Sequence, residues 1–265
     1  MSKKNIVLIN LLIFSILIGC NKNNQPEEEN FANLTLKFAH FNEGKLLEFD
    51  TLIYENEAEN QYLVNEIQYL ISDVILHKSD GNDILIDDEK DIFYIDTDIS
   101  STHTWKIPDK LPLGNYSSIS FTFGICEEKN QSHIFPNPPE SFMFWPEKLG
   151  GGYHYMKLNG KWLTDDNTII PFNFHLGIGQ TYYSFPDSIT GFIQNYFEVL
   201  LPSSSFELTE NQIKEIEIFM NIENWFRNPN VYDHDVYGGK IMQNQEAMKK
   251  ACENGHNVFT VKILN

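Results

Sequence analysis

The sequence has 265 residues, 42% of them hydrophobic and 14% aromatic, with a formal net charge of −18. This is enough apolar material for one sizeable core, which excludes an intrinsically disordered chain. So acidic a surface repels phosphate backbones, which excludes nucleic acid as a partner.

The first residues, Met1 to Lys4, are short and basic. An apolar run from Ile6 to Ile18 follows, broken by Asn10 and Ser15. It is too short for a comfortable membrane span and has the shape of a secretory signal. It ends in Leu17-Ile18-Gly19-Cys20, which resembles the bacterial lipobox. The resemblance implies a signal peptide over residues 1–19, lipidation of Cys20 and anchorage to a membrane surface without spanning it. Asn21 rather than Asp follows the cysteine. The expected location is the cell envelope at the outer membrane, on its periplasmic or surface face. Residues 20–32, with Glu27, Glu28 and Glu29, read as a polar tether, leaving 33–265 as one folded domain.

Within that domain most segments read as strands. Leu34, Leu36, Phe38 and His40 alternate with Thr35, Lys37, Ala39 and Phe41, the period of two of a half-buried strand. A long apolar stretch from Tyr62 to Leu76 follows, then the turn Ser79-Asp80-Gly81-Asn82. Ile92 to Ile95 and Ile119 to Phe123 are further strands. Short strands separated by Gly, Asn and Asp turns predict a mainly β, single-domain antiparallel β-sandwich. Ile125 to Trp145, with several prolines, reads as a long loop of the kind that carries function. Two C-terminal helices are expected. One is signalled by Thr209 and Gln212 as a capping box before Ile213, Ile216, Phe219 and Met220. The second carries Ile241, Gln245, Met248 and Cys252 on one face and ends at Gly255. Trp225 and Phe226, between them, read as packing.

Cys126 and Cys252 are either a disulfide closing a long loop, which would stabilise by about 3–5 kcal/mol, or two buried thiols. No CxxC spacing is present.

No nucleophile elbow, His-Glu-x-x-His or glycine-rich phosphate loop occurs, so nothing points to an enzyme or to an organic cofactor. Among eight histidines, three stand out. His40 shares the parity of Leu34, Leu36 and Phe38 and should face inward or to the rim. His154 lies between two tyrosines just after the run Gly150-Gly151-Gly152 and shares parity with Met156 and Leu158. His175 has the parity opposite to Phe172 and Phe174. Three neutral imidazoles meeting at one rim would suit copper or zinc. Met143 and Met156 would add soft ligands.

The order of several segments resembles the MbnP-like family of bacterial copper-binding proteins, related to methanotroph copper uptake. They are Phe38-Ala39-His40-Phe41-Asn42-Glu43-Gly44, the stretch Ile67 to Leu76, Leu113 to Phe121 leading to Phe123-Gly124-Ile125, Met143-Phe144-Trp145 before Gly152-Tyr153-His154, and Phe174-His175-Leu176-Gly177. The resemblance implies a β-sandwich that binds copper through histidines, with His40, His175 and also His154 as ligand candidates. It implies Trp145 as the tryptophan oxidised to kynurenine, and a diheme peroxidase-like partner that performs the oxidation. The chain departs from the family where Trp145-Pro146-Glu147 stands for Trp-x-Trp and Gly124-Ile125-Cys126 for Gly-Val-Asp. The expected function is copper acquisition, delivery or buffering by a lipid-anchored protein. The alternative is a glycan- or peptide-binding or structural surface lipoprotein, in which Trp225 could dock a partner.

Overall fold

A computed structural model describes residues 31–264, apart from 87–90, 109 and 202. The signal peptide, Cys20 and nearly all of the tether lie outside the described residues. The first strand, Phe31–Asn42, begins two residues before the expected domain start.

Two sheets face each other, and the short hairpin Gly179–Ser184 with Ser188–Ile193 stands apart. One sheet is built around Phe31–Asn42, flanked by Ile213–Asn221, which in turn pairs with Phe259–Leu264. The other is built around the long strand Gln61–Lys78, flanked by Met156–Leu163, Gly114–Phe123 and Ile92–Asp96. Ile169–Leu176 extends it beyond Met156–Leu163. Aromatic rings fill the space between the sheets. Tyr69 meets Phe259 at 6.2 Å, Phe121 meets Phe259 at 5.2 Å and Phe38 meets Phe93 at 5.6 Å between ring centres. The expected mainly β sandwich with short C-terminal helices is what the chain adopts.

One element differs in kind. Residues 213–221 form a strand, not a helix. Lys214, Ile216, Ile218 and Met220 are buried in strict alternation. The run pairs in parallel with the first strand, so one interface in the sheet is not antiparallel. A short run rich in isoleucine fits either period, and β-branched side chains favour the pleat. Thr209 and Gln212 close a turn instead of capping a helix, with the Thr209 hydroxyl donating to Gln212 Oε1 at 2.6 Å.

The later helix, Gln245–Asn254, is present, and the Asn244 side chain caps it by accepting from Ala247 N–H. Gly255 follows in ordinary right-handed geometry. Its lack of a side chain serves a close approach, because a Cβ there would lie 2.1 Å from the Phe197 ring. Trp225 and Phe226 are fully buried, which removes them as a docking surface. Cys126 and Cys252 are separate thiols, not a disulfide. Cys252 donates to the Asn195 carbonyl at 3.3 Å, and burial raises its pKa to about 12.

Candidate metal centre

The glycine run is ordered by its neighbours. Trp145 N–H donates to Gly152 O at 2.8 Å and His154 N–H to Met143 O at 2.6 Å, so 143–145 and 152–154 lie side by side. Closing that turn puts Gly150, Gly151 and Gly152 at φ of +124°, +70° and +73°. A side chain would collide at each, with Ile178 at 2.6 Å, Glu147 at 2.8 Å and Asn130 at 2.5 Å respectively. Only glycine satisfies both conditions. The turn delivers the His154 ring edge-on to the fully buried Trp145, with ring centres 4.6 Å apart.

His175 arrives from the neighbouring strand, and its ring lies 5.1 Å from that of His154. Both imidazoles are held in one tautomer. His154 Nδ1 lies 2.9 Å from the Met143 carbonyl, which can only accept, so Nδ1 carries the proton and Nε2 the lone pair. His175 Nε2 lies 2.8 Å from Asn159 Oδ1. The Asn159 amide donates in turn to Glu66 Oε1 at 2.9 Å, which fixes the amide so that its oxygen faces the ring. His175 Nδ1 therefore bears a lone pair, and it is buried with no hydrogen-bond partner. Burial lowers both ring pKa values to about 3, helped at His154 by His175 and Lys157 and at His175 by Lys157. The pair is neutral at physiological pH. Lys157, beside His175 in the strand register, donates to the Phe142 carbonyl at 2.5 Å.

His40 does not join them. One row of the sheet runs Leu176, Met156, Tyr69, Ile95, and the next runs His175, Lys157, Gln68, Asp96. Adjacent rows project to opposite faces. His40 is inward, as its parity predicts, and packs against Tyr69 at 5.7 Å on the face away from His175. Its near neighbour is His103, 6.0 Å away between ring centres, a residue whose sequence context carried no signal. Met156, in the inward row, is on the wrong face to serve His175. Met143 contributes its carbonyl. The parity expected of His154 also fails, because the chain bends at Tyr155 before the strand starts.

Two imidazoles around one ion, with metal–nitrogen bonds of about 2 Å, must have ring centres within about 6.3 Å. Both pairs meet that limit. Among the described residues no group of three or more His, Cys, Asp or Glu could hold a metal ion. Further ligands to either pair must come from sulfur, solvent or a modified side chain. Beside the outer pair lies an open cleft of about 780 Å³, lined in part by His175, Leu149, Asn173, Gln180, Tyr182 and Lys240.

The remaining histidines have other engagements. His77 lies between Ser120 and Asp83, His133 stacks on Phe144, and His256 bonds the Glu253 carbonyl. His234 sits in an aromatic box.

The family model for MbnP matches residues 31–246, which take in both histidine pairs and every strand of the two sheets except Phe259–Leu264. The chain belongs to the MbnP family. Among solved structures it is similar to MbnP from Methylosinus trichosporium, at 13% identity and a TM-score of 0.48, over 88% of this chain and 99% of that one. No curated protein matches the sequence. In this MbnP-family chain, Trp145 lies at the centre of the ordered turn. Its indole N–H donates to the Leu149 carbonyl at 3.1 Å, and its ring fills the space above Gly177, where a Cβ would come within 2.7 Å of it.

Proposed function

We propose that this protein binds copper at His154 and His175, beside Trp145, and serves copper acquisition, delivery or buffering rather than catalysis. One observation carries the reading. Two buried, neutral imidazoles lie 5.1 Å apart with their protons committed to Met143 O and Asn159 Oδ1. Each therefore offers one lone pair, at His154 Nε2 and His175 Nδ1. Fixing the second nitrogen in this way is how metal-binding histidines are generally oriented. Imidazole donors suit copper as well as zinc, and among divalent ions affinity alone favours copper. Lys157 adds positive charge at the pair, which favours Cu(I) over Cu(II). Membership of the MbnP family supports copper as the cargo, and oxidation of Trp145 by a diheme peroxidase-like partner would supply an aryl amine as a further ligand. Attachment through lipidated Cys20 would place the site in the cell envelope.

The test is anaerobic loading of the domain with Cu(I), desalting and metal analysis, with intact-mass measurement to read any modification of Trp145. Wild type should retain copper, and His175→Ala and His154→Ala should each lose the same equivalent. Unchanged copper content in both variants would refute the assignment.

The cleft supports a second reading. Its amide side chains, Asn173, Gln180, Gln243, Asn244 and Gln245, together with Tyr182 and Phe185, are suited to a glycan or peptide. Glycan-array binding that survives a copper chelator would favour it.

A further inference from the structure

The inner histidine pair has no part in the outer site, and packing alone does not account for it. His40 is 5% exposed, and its Nε2 is buried without a hydrogen-bond partner. His103 is half-buried at the end of the short turn Ser100–His103. Its Nε2 lies 2.8 Å from the Asp96 carbonyl, so Nε2 carries the proton and Nδ1 a lone pair. The Thr102 hydroxyl also donates to Asp96 O, at 3.1 Å, and accepts from Asp96 N–H at 2.9 Å, which ties the turn to the strand. A third donor is set by register. Met220 pairs with His40 across the parallel strands, so the two side chains project from the same face of the sheet. Met220 is fully buried.

We propose that His40, His103 and Met220 form a second metal site, specific for a soft monovalent ion such as Cu(I). Imidazole and thioether donors bring no negative charge to offset that of the ion, so a monovalent ion leaves less charge buried than a divalent one. Sulfur together with imidazole selects Cu(I) over harder cations. Ring centres 6.0 Å apart lie close to the upper limit for two ligands on one ion. That spacing corresponds to a wide nitrogen–metal–nitrogen angle, with Met220 closing the third side. His103, at the rim, is the entrance, and His40 and Met220 form the buried end. The site is separate from the outer pair because His40 packs against Tyr69, whose row projects to the opposite face of the 61–78 strand's sheet from that of His175.

The test is an anaerobic titration of the protein with Cu(I) against a chromogenic Cu(I) chelator, combined with NMR of the ring nitrogens. Wild type should bind two equivalents and His175→Ala one, and in that variant the His40 and His103 resonances should still shift. His103→Gln, at a half-buried position that leaves the core intact, should bind one equivalent, with shifts only at His154 and His175. Met220→Leu should fill the inner site only at higher free Cu(I). The proposal is overturned if His103→Gln binds as much copper as wild type, or if His40 and His103 do not respond to Cu(I). Failure of the outer site is a different result, namely copper that survives His175→Ala and is lost in His103→Gln.

Discussion

Replacing His234 with phenylalanine should stabilise the protein, and by more in acid than at neutrality. The ring is 1% exposed, stacked on Phe172 at 4.5 Å and on Trp162 at 5.6 Å, and neither nitrogen has a hydrogen-bond partner. Leaving buried polar groups unsatisfied costs about 1–3 kcal/mol, which the substitution recovers, less any strain from the slightly larger ring. Burial also lowers the ring pKa from 6.5 to about 3. The unfolded chain therefore takes up a proton below about pH 6.5, while the folded one stays neutral until about pH 3. The stability associated with this neutral ring is complete above the unfolded pKa and is lost as the pH falls towards the folded one. The loss is about 1.4 kcal/mol per pH unit, or about 2 kcal/mol by pH 5. His234→Phe should thus gain about 1–2 kcal/mol at pH 7 and about 3–4 kcal/mol at pH 5 over wild type. Urea denaturation at both values reads this directly, and for a domain of this size each kcal/mol moves Tm by about 2–4 °C. A variant less stable than wild type at pH 7, or an advantage independent of pH, would refute the reasoning.

Other outcomes follow from the site. Gly152→Ala forces a side chain into left-handed geometry against the Asn130 backbone, 2.7 Å away. It should cost about 2–4 kcal/mol and lower Tm by roughly 5–15 °C in a thermal melt. Asn159→Ala removes the acceptor that orients His175 and should weaken copper at the outer pair by about 10–100-fold in a chelator competition, while His103→Gln leaves that equivalent unchanged. Lys157→Gln removes a positive charge beside His154 and His175. It should raise affinity for Cu(II) relative to Cu(I) by about tenfold, measured as a fall in the copper reduction potential. Wild type as a whole should lose stability between pH 7 and pH 5. His40, His154, His175 and His234 all have folded pKa values lowered to about 3, chiefly by burial, so each favours the unfolded state as it gains a proton there. Denaturation midpoints that stay flat over that range would exclude the shared linkage.

The sequence alone determined the class of fold and the inward direction of His40, because alternation in a strand is a local property. Leu34, Leu36, Phe38 and His40 carry it in their order, as do Phe172 and Phe174 against His175. It also set the glycine run just before His154, while the contact of that ring with Trp145 came from the fold. It could not say that residues 213–221 are a strand, since a short isoleucine-rich run satisfies both periods until a partner strand selects one. Nor could it say which histidines meet. That is a matter of which face of which sheet each ring leaves, and a shift of one residue in register moves every side chain to the other side. The registers of Tyr69 with Met156 and of Lys157 with His175 send His40 and His175 to opposite faces. What looked from the sequence like one three-histidine site is, in the folded chain, two separate pairs, and tertiary packing alone supplied His103 to the second.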